Sequence, residues 1–133
     1  MNNKILIIDD EYIITDTLKE YFELCELEVV VYNNPLQAIE DFKENLYNIV
    51  ITDIRMPDLS GIDVINTLKN INPFVQIIVI TGFTSMSYAT MCLSAGAVDY
   101  IKKPFSSLLL EGNGLSSILI IDLTDGKYFH ILV

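Results

Sequence analysis

Cysteine, histidine and basic residues are scarce in this chain of 133 residues. It has two Cys, one His, and eight Lys and Arg against eighteen Asp and Glu, for a formal net charge of −10. Each shortage excludes something. Cys25 and Cys92 fall in separate helical segments without metal-ligand spacing. Neither a disulfide framework nor a thiolate metal site is expected, and a reduced, cytoplasmic interior is the simplest setting. His130 stands alone among apolar residues near the C-terminus, where a satisfied or surface imidazole is expected rather than a catalytic one. So negative a surface repels phosphate backbones and anionic lipid, so no direct nucleic-acid or membrane partner is expected, while cations are attracted.

Long hydrophobic runs are also lacking. Residues 70–98 carry no formal charge, but Asn72, Pro73, Gln76 and Gly82 interrupt them. The strongly apolar part, Val75 to Ile80, is far short of the ~20 residues a membrane span needs. The N-terminus reaches Asp9 too soon for a secretory signal.

What is present is a 51% hydrophobic composition, enough to build one core in one domain. The run "KILIID", residues 4–9, does not alternate and reads as a strand buried on both faces. Ile14, Leu18, Tyr21, Phe22 and Cys25 follow helical spacing. A short strand comes next over Val29 to Tyr32. Asn34-Pro35 then starts a helix, cap followed by first-turn proline. "IVITD" is a third strand, "MPDLSG" a loop, and Ile62, Ile65 and Leu68 a helical face. Val75 to Thr81 is a fourth strand, a helix through Tyr88, Met91, Cys92 and Ala95 stops at Gly96, and Val98 to Lys102 is a fifth strand.

Strand and helix thus alternate five times. The pattern predicts an α/β fold with a doubly wound, five-stranded parallel sheet and right-handed crossovers. In such sheets, sites form outside the carboxyl ends of the strands. Those ends carry Asp9-Asp10, Asp53, Thr81 and Lys103. Acids crowded at one rim repel one another, and a hard cation such as Mg²⁺ relieves that repulsion. A lysine adds a point charge and a threonine a hydroxyl for an anionic oxygen, and a carboxylate is a nucleophile for phosphoryl transfer.

"ILIIDDE", "ITDIRMPDLSG", "VIVITG" and "AGAVDYIKKPF" resemble, in order and spacing, the receiver domain of two-component response regulators, over residues 4–105. The resemblance implies a flavodoxin-like fold of strand order 2-1-3-4-5 and makes Asp53 the phosphoacceptor. Asp10, with Asp9 partly through water, would hold Mg²⁺, and the backbone carbonyl of Arg55 would complete the protein ligands. Thr81 and Lys103 would bind the phosphoryl oxygens, and Tyr100 would be the aromatic switch residue. Donor and recipient would be a histidine kinase or phosphotransfer protein upstream and an output protein or domain downstream. The Lys103-Pro104 bond is expected to be cis, since the turn must aim Lys103 into the site. Arg55 and Phe83, each two residues past a site residue, are expected to crowd attacking water and slow self-dephosphorylation.

Two rivals stand beside this reading. A degenerate receiver would serve only as a binding module, against which all five site residues are present. A phosphatase of the haloacid dehalogenase type needs a second acid two residues after the nucleophile, where this chain has Arg55.

The chain departs from the family after Pro104. "SSLLLEGNGLSS" allows a truncated fifth helix of a turn or two before Gly112 and Gly114. The expected division is a receiver over 1–110 and an atypical tail over 111–133. That tail is the start of a further domain, a short natural extension or an appended sequence. Asp125-Gly126 between apolar runs predicts a β-hairpin of Ser117 to Leu123 with Lys127 to Val133. A short fifth helix would leave apolar sheet beside the first helix open unless the tail or another molecule covers it. A homodimer through the tail is the favoured outcome.

Overall fold

The computed structural model describes residues 4–24, 27–82, 86–102, 105–112, 115–122 and 128–132; for Thr81, Met86, Asp99 and residues from 101 onward it describes the backbone alone. Strands β1 (Lys4–Ile8), β2 (Glu28–Tyr32), β3 (Ile49–Asp53) and β4 (Gln76–Thr81) alternate with helices α1 (Tyr12–Leu24), α2 (Pro35–Glu44), α3 (Gly61–Ile71) and α4 (Met86–Ala95). The backbone of β5 (Asp99–Lys102) runs parallel to β4, giving the order β2-β1-β3-β4-β5.

Local chemistry fixes the helix ends. Asn34 accepts at its side chain from the Leu36 and Gln37 amides, and Pro35 takes the first helical position, where its missing N–H costs nothing. Ser60 accepts from the Asp63 amide and starts α3. Gly96 ends α4 at φ 119°, a left-handed conformation that side chains resist.

The non-alternating strands bury both faces, as that pattern requires. On one face Leu6, Ile8, Val50, Ile77 and Val79 pack with Ala38, Ile39 and Phe42 of α2, Val64, Ile65 and Leu68 of α3, and Cys92 of α4. On the other face Ile5, Ile7, Ile49, Ile51, Ile78 and Ile80 pack with Leu18 and Phe22 of α1. Cys92 is an inert core residue whose thiol burial pushes up in pKa. Ile78 and Ile80 are 6% and 0% exposed, so the face beside α1 is covered across β4 rather than left open. Cys25 lies outside the described residues.

Beyond Pro104 the structure departs from expectation. Among the described residues no helix follows α4. Phe105–Gly112 is instead a strand, β6, antiparallel to β7 (Leu115–Asp122), which pairs in turn with β8 (Tyr128–Leu132). A helix over Ser106 to Glu111 would be too short to hold itself together, whereas the strand pairs along its whole length with β7. His130 lies on β8. Among the described residues no helix is long and apolar enough to cross a membrane.

Candidate functional site

Parallel register brings the acids together. Ile8 pairs with Thr52, and one residue further along each chain stand Asp9 and Asp53. Asp53 pairs with Ile80, one residue before Thr81. One carboxylate oxygen from each of Asp9, Asp10 and Asp53 lies within 4.8 Å of the others. Asp9 and Asp53 are 0% and 4% exposed, while Asp10 opens to solvent.

Buried carboxylates need donors, and backbone amides supply them. Asp9 Oδ1 accepts from the Glu11 amide at 2.9 Å. Asp53 Oδ1 accepts from the amides of Ile54 at 2.7 Å and Arg55 at 3.2 Å. These bonds fix the carboxylates in place without neutralising them. An open cleft of about 730 Å³ adjoins the cluster, lined by Asp10, Arg55, Asp58, Ser60, Asp63 and Tyr88 among others.

The donor set fits a hard divalent cation. All three side chains offer oxygen, and Cys92 is buried elsewhere. Oxygens on opposite sides of one Mg²⁺ stand about 4 Å apart, so the three acids are already near the span of one coordination shell.

Of the other residues singled out in the sequence, Arg55 lies in the β3–α3 loop beside Asp10 in the cleft. Thr81 ends β4, with its backbone opposite Lys102. Tyr100 is half-buried and packs against the core face built on α2, α3 and α4. Lys103, Pro104 and Phe83, and with them the cis bond and half of the proposed water shield, lie outside the described residues.

Sequence reasoning passed over Asn33, whose side-chain amide reaches Asp9, and Asp58 and Tyr88, which line the cleft. Asn33 sits beside a recognisable helix cap, but a contact 24 residues distant leaves no local pattern. Asp58 was visible only as part of a loop, and Tyr88 as one position of a helical stripe.

Fold and cluster together define a doubly wound α/β domain with an acidic site at the strand ends. Residues 5–111 match the response regulator receiver domain model, and the chain belongs to that family. It is 35% identical over 106 residues to the chemotaxis protein CheY of Thermotoga maritima, covering 79% of this chain and 88% of that protein. The transcriptional regulatory protein ZraR of Klebsiella oxytoca is 33% identical over 100 residues, which are 75% of this chain and 23% of that protein. The chain therefore spans about a quarter of that relative's length. The crystal structure of a CheY-like receiver domain protein from Methanospirillum hungatei superposes with a TM-score of 0.76 at 29% identity, covering 78% of this chain and 83% of that one.

Proposed function

We propose that this receiver domain accepts a phosphoryl group on Asp53 from a histidine kinase or phosphotransfer protein, and thereby changes its affinity for an output protein or domain. The observation that carries the reading is the convergence of Asp9, Asp10 and Asp53 from two strand ends onto one point. Asp9, Asp10, Asp53 and the Arg55 carbonyl would hold Mg²⁺. Bound there, the ion would neutralise charge on the carboxylates and on the phosphoryl oxygens.

This chain's own residues do the rest. The amides of Ile54 and Arg55 hold Asp53 Oδ1 and so orient the carboxylate. One carboxylate oxygen forms the bond to phosphorus as the phosphorus–nitrogen bond of a phosphohistidine breaks, and the imidazole nitrogen keeps the electron pair. Thr81 and Lys103 are assigned to the phosphoryl oxygens, where a hydroxyl and an ammonium oppose developing charge. Tyr100 is assigned the switch, its ring already seated half in and half out of the core. Arg55 and Phe83 are assigned to shielding the phosphoryl group from water.

The same reading takes β5 as the edge strand that completes the order 2-1-3-4-5 and residues 111–133 as an addition to a receiver of 1–110. It places the protein in the cytoplasm and adds a homodimer through the tail, where β6 and β8 are both sheet edges. A monomeric mass for the full chain, unchanged on deleting residues 115–133, would reject the dimer.

Acetyl phosphate with Mg²⁺ tests the central claim. The wild-type chain gains one phosphoryl group and Asp53→Asn gains none; persistent labelling of the variant refutes the assignment. A degenerate receiver is the remaining rival. Beryllofluoride with Mg²⁺ perturbs the Tyr100 resonances of a competent receiver and leaves those of a degenerate one unmoved.

A further inference from the structure

The acids of the site sit at two separate strand ends, and one dipeptide touches the loops that follow both. Asn33 and Asn34 form the corner between β2 and α2. The Asn33 side-chain amide donates to the Asp9 carbonyl at 2.8 Å and to the Thr15 hydroxyl at 3.0 Å. A carbonyl only accepts, so the group facing it must be the NH₂ end of the side chain. The preceding residue completes the hold, because the Asp9 N–H donates to the Tyr32 carbonyl at 3.1 Å. Both backbone polar groups of Asp9 are thus tied to consecutive residues of the β2 end. Thr15 is fully buried, which anchors the second arm of Asn33 in the first turn of α1.

Asn34 reaches the other way. Its side-chain oxygen caps α2, and its amide donates to Asp58 Oδ2 at 3.0 Å. Asp58 belongs to the β3–α3 loop, which follows Asp53 and carries Arg55, and it lines the cleft beside Asp10.

We infer that Asn33 and Asn34 are positioning residues that set the spacing between the two metal-binding loops. Asn33 fixes Asp9-Asp10, and Asn34 fixes the β3–α3 loop against the same corner. Neither side chain need touch the ion. The inference rests on the Mg²⁺ reading of the cluster. A cation within one shell of three carboxylates is sensitive to shifts of a few tenths of an ångström, which is why outer partners govern affinity.

The test is a Mg²⁺ titration of the full chain, followed by amide resonances of Glu11 and Ile54, beside urea unfolding of the metal-free protein. The variants are Asn33→Ala, the milder Asn33→Ser, and Asn34→Ser, which keeps a capping oxygen but cannot reach Asp58. None changes net charge, so a weaker site cannot be blamed on lost attraction. Partners outside the first shell typically govern affinity tenfold or more, so each variant is expected to raise the Mg²⁺ dissociation constant about tenfold. Acetyl-phosphate labelling should slow at low Mg²⁺ and recover when Mg²⁺ is saturating. A merely structural role would lower metal-free stability while leaving the affinity of the folded protein within about twofold, and that result overturns the inference alone. A wild-type chain that takes up no Mg²⁺ overturns the site reading and this inference with it.

Discussion

The Tyr47 hydroxyl donates to Asp41 Oδ1 at 2.9 Å, joining the residue that leads into β3 to the middle of α2. The other carboxylate oxygen accepts from the Tyr32 hydroxyl, and the Asn45 amide adds a third donor. Burial opposes ionisation of Asp41, but the donors from Tyr32, Tyr47 and Asn45 outweigh it and hold the carboxyl below its ordinary value of 3.8. Burial, then the Asp41 bond, pushes Tyr47 up from 10.0, and the Asp41 bond pushes Tyr32 up likewise.

The signs give a two-sided pH profile. A depressed carboxyl contributes stability that is present above pH 3.8 and lost as pH falls through the lower folded value. Raised tyrosines contribute stability that is complete below pH 10.0 and lost as pH rises through the higher folded values. Asp41→Ala should cost about 1–2 kcal/mol at neutral pH, with the hydrogen bonds to a charged acceptor discounted for partial exposure. The gap from wild type should narrow at both ends of the range. Urea midpoints from pH 3 to pH 11 check this, and a gap that stays constant across the range rejects the network.

Asp10→Asn should change sign with the metal. Without Mg²⁺ the substitution removes one of three like charges grouped within 4.8 Å, so the melting temperature should rise by a few degrees. With saturating Mg²⁺ the wild type gains binding energy that the variant largely forfeits, and the order should reverse. Thermal melts in EDTA and in Mg²⁺ decide it. A variant no more stable than wild type in EDTA would mean that repulsion at the cluster is negligible.

Much of this was legible in the residues. Short aliphatic runs rich in β-branched residues, such as Ile5 to Ile8, read as strands covered on both sides, and the structure buries them on both sides. Acids at the ends of two such strands had to meet, because parallel register aligns strand ends. Asn34-Pro35 and Gly96 marked helix boundaries that the backbone adopts. The misses share one physical cause, in that the deciding contact is distant in sequence. Leu108 to Leu110 carry no period that separates one helical turn from a strand, and the choice rests on pairing with Leu115–Asp122. Asn33 to Asp9 and Tyr32 to Asp41 are bonds between elements, and neither residue type announces its partner.

Gly61 leaves no room for a side chain, and the residue it abuts, Ile54, is adjacent to Asp53 of the acidic cluster. A Cβ there would stand 2.5 Å from Ile54 Cα and 2.6 Å from Ile54 Cβ, distances that real atoms do not tolerate. Ile54 cannot retreat easily, since it is 3% exposed in the core and its carbonyl accepts from the Gly61 amide at 3.0 Å. The Ile54 amide also holds Asp53 Oδ1, so any shift reaches the acidic cluster. Gly61→Ala should therefore cost about 1–3 kcal/mol, the usual penalty for overfilling a packed core. It should also weaken Mg²⁺ binding through the displaced Ile54 and Arg55 amides. Gly82→Ala is the control, because a Cβ there meets nothing within 4 Å. Its effect on stability should stay within about 0.5 kcal/mol. Urea unfolding of both variants, with a Mg²⁺ titration of Gly61→Ala, separates the outcomes. Equal stability for the two would show that the β3–α3 loop yields freely, and the close approach of Gly61 to Ile54 would then have no bearing on the site.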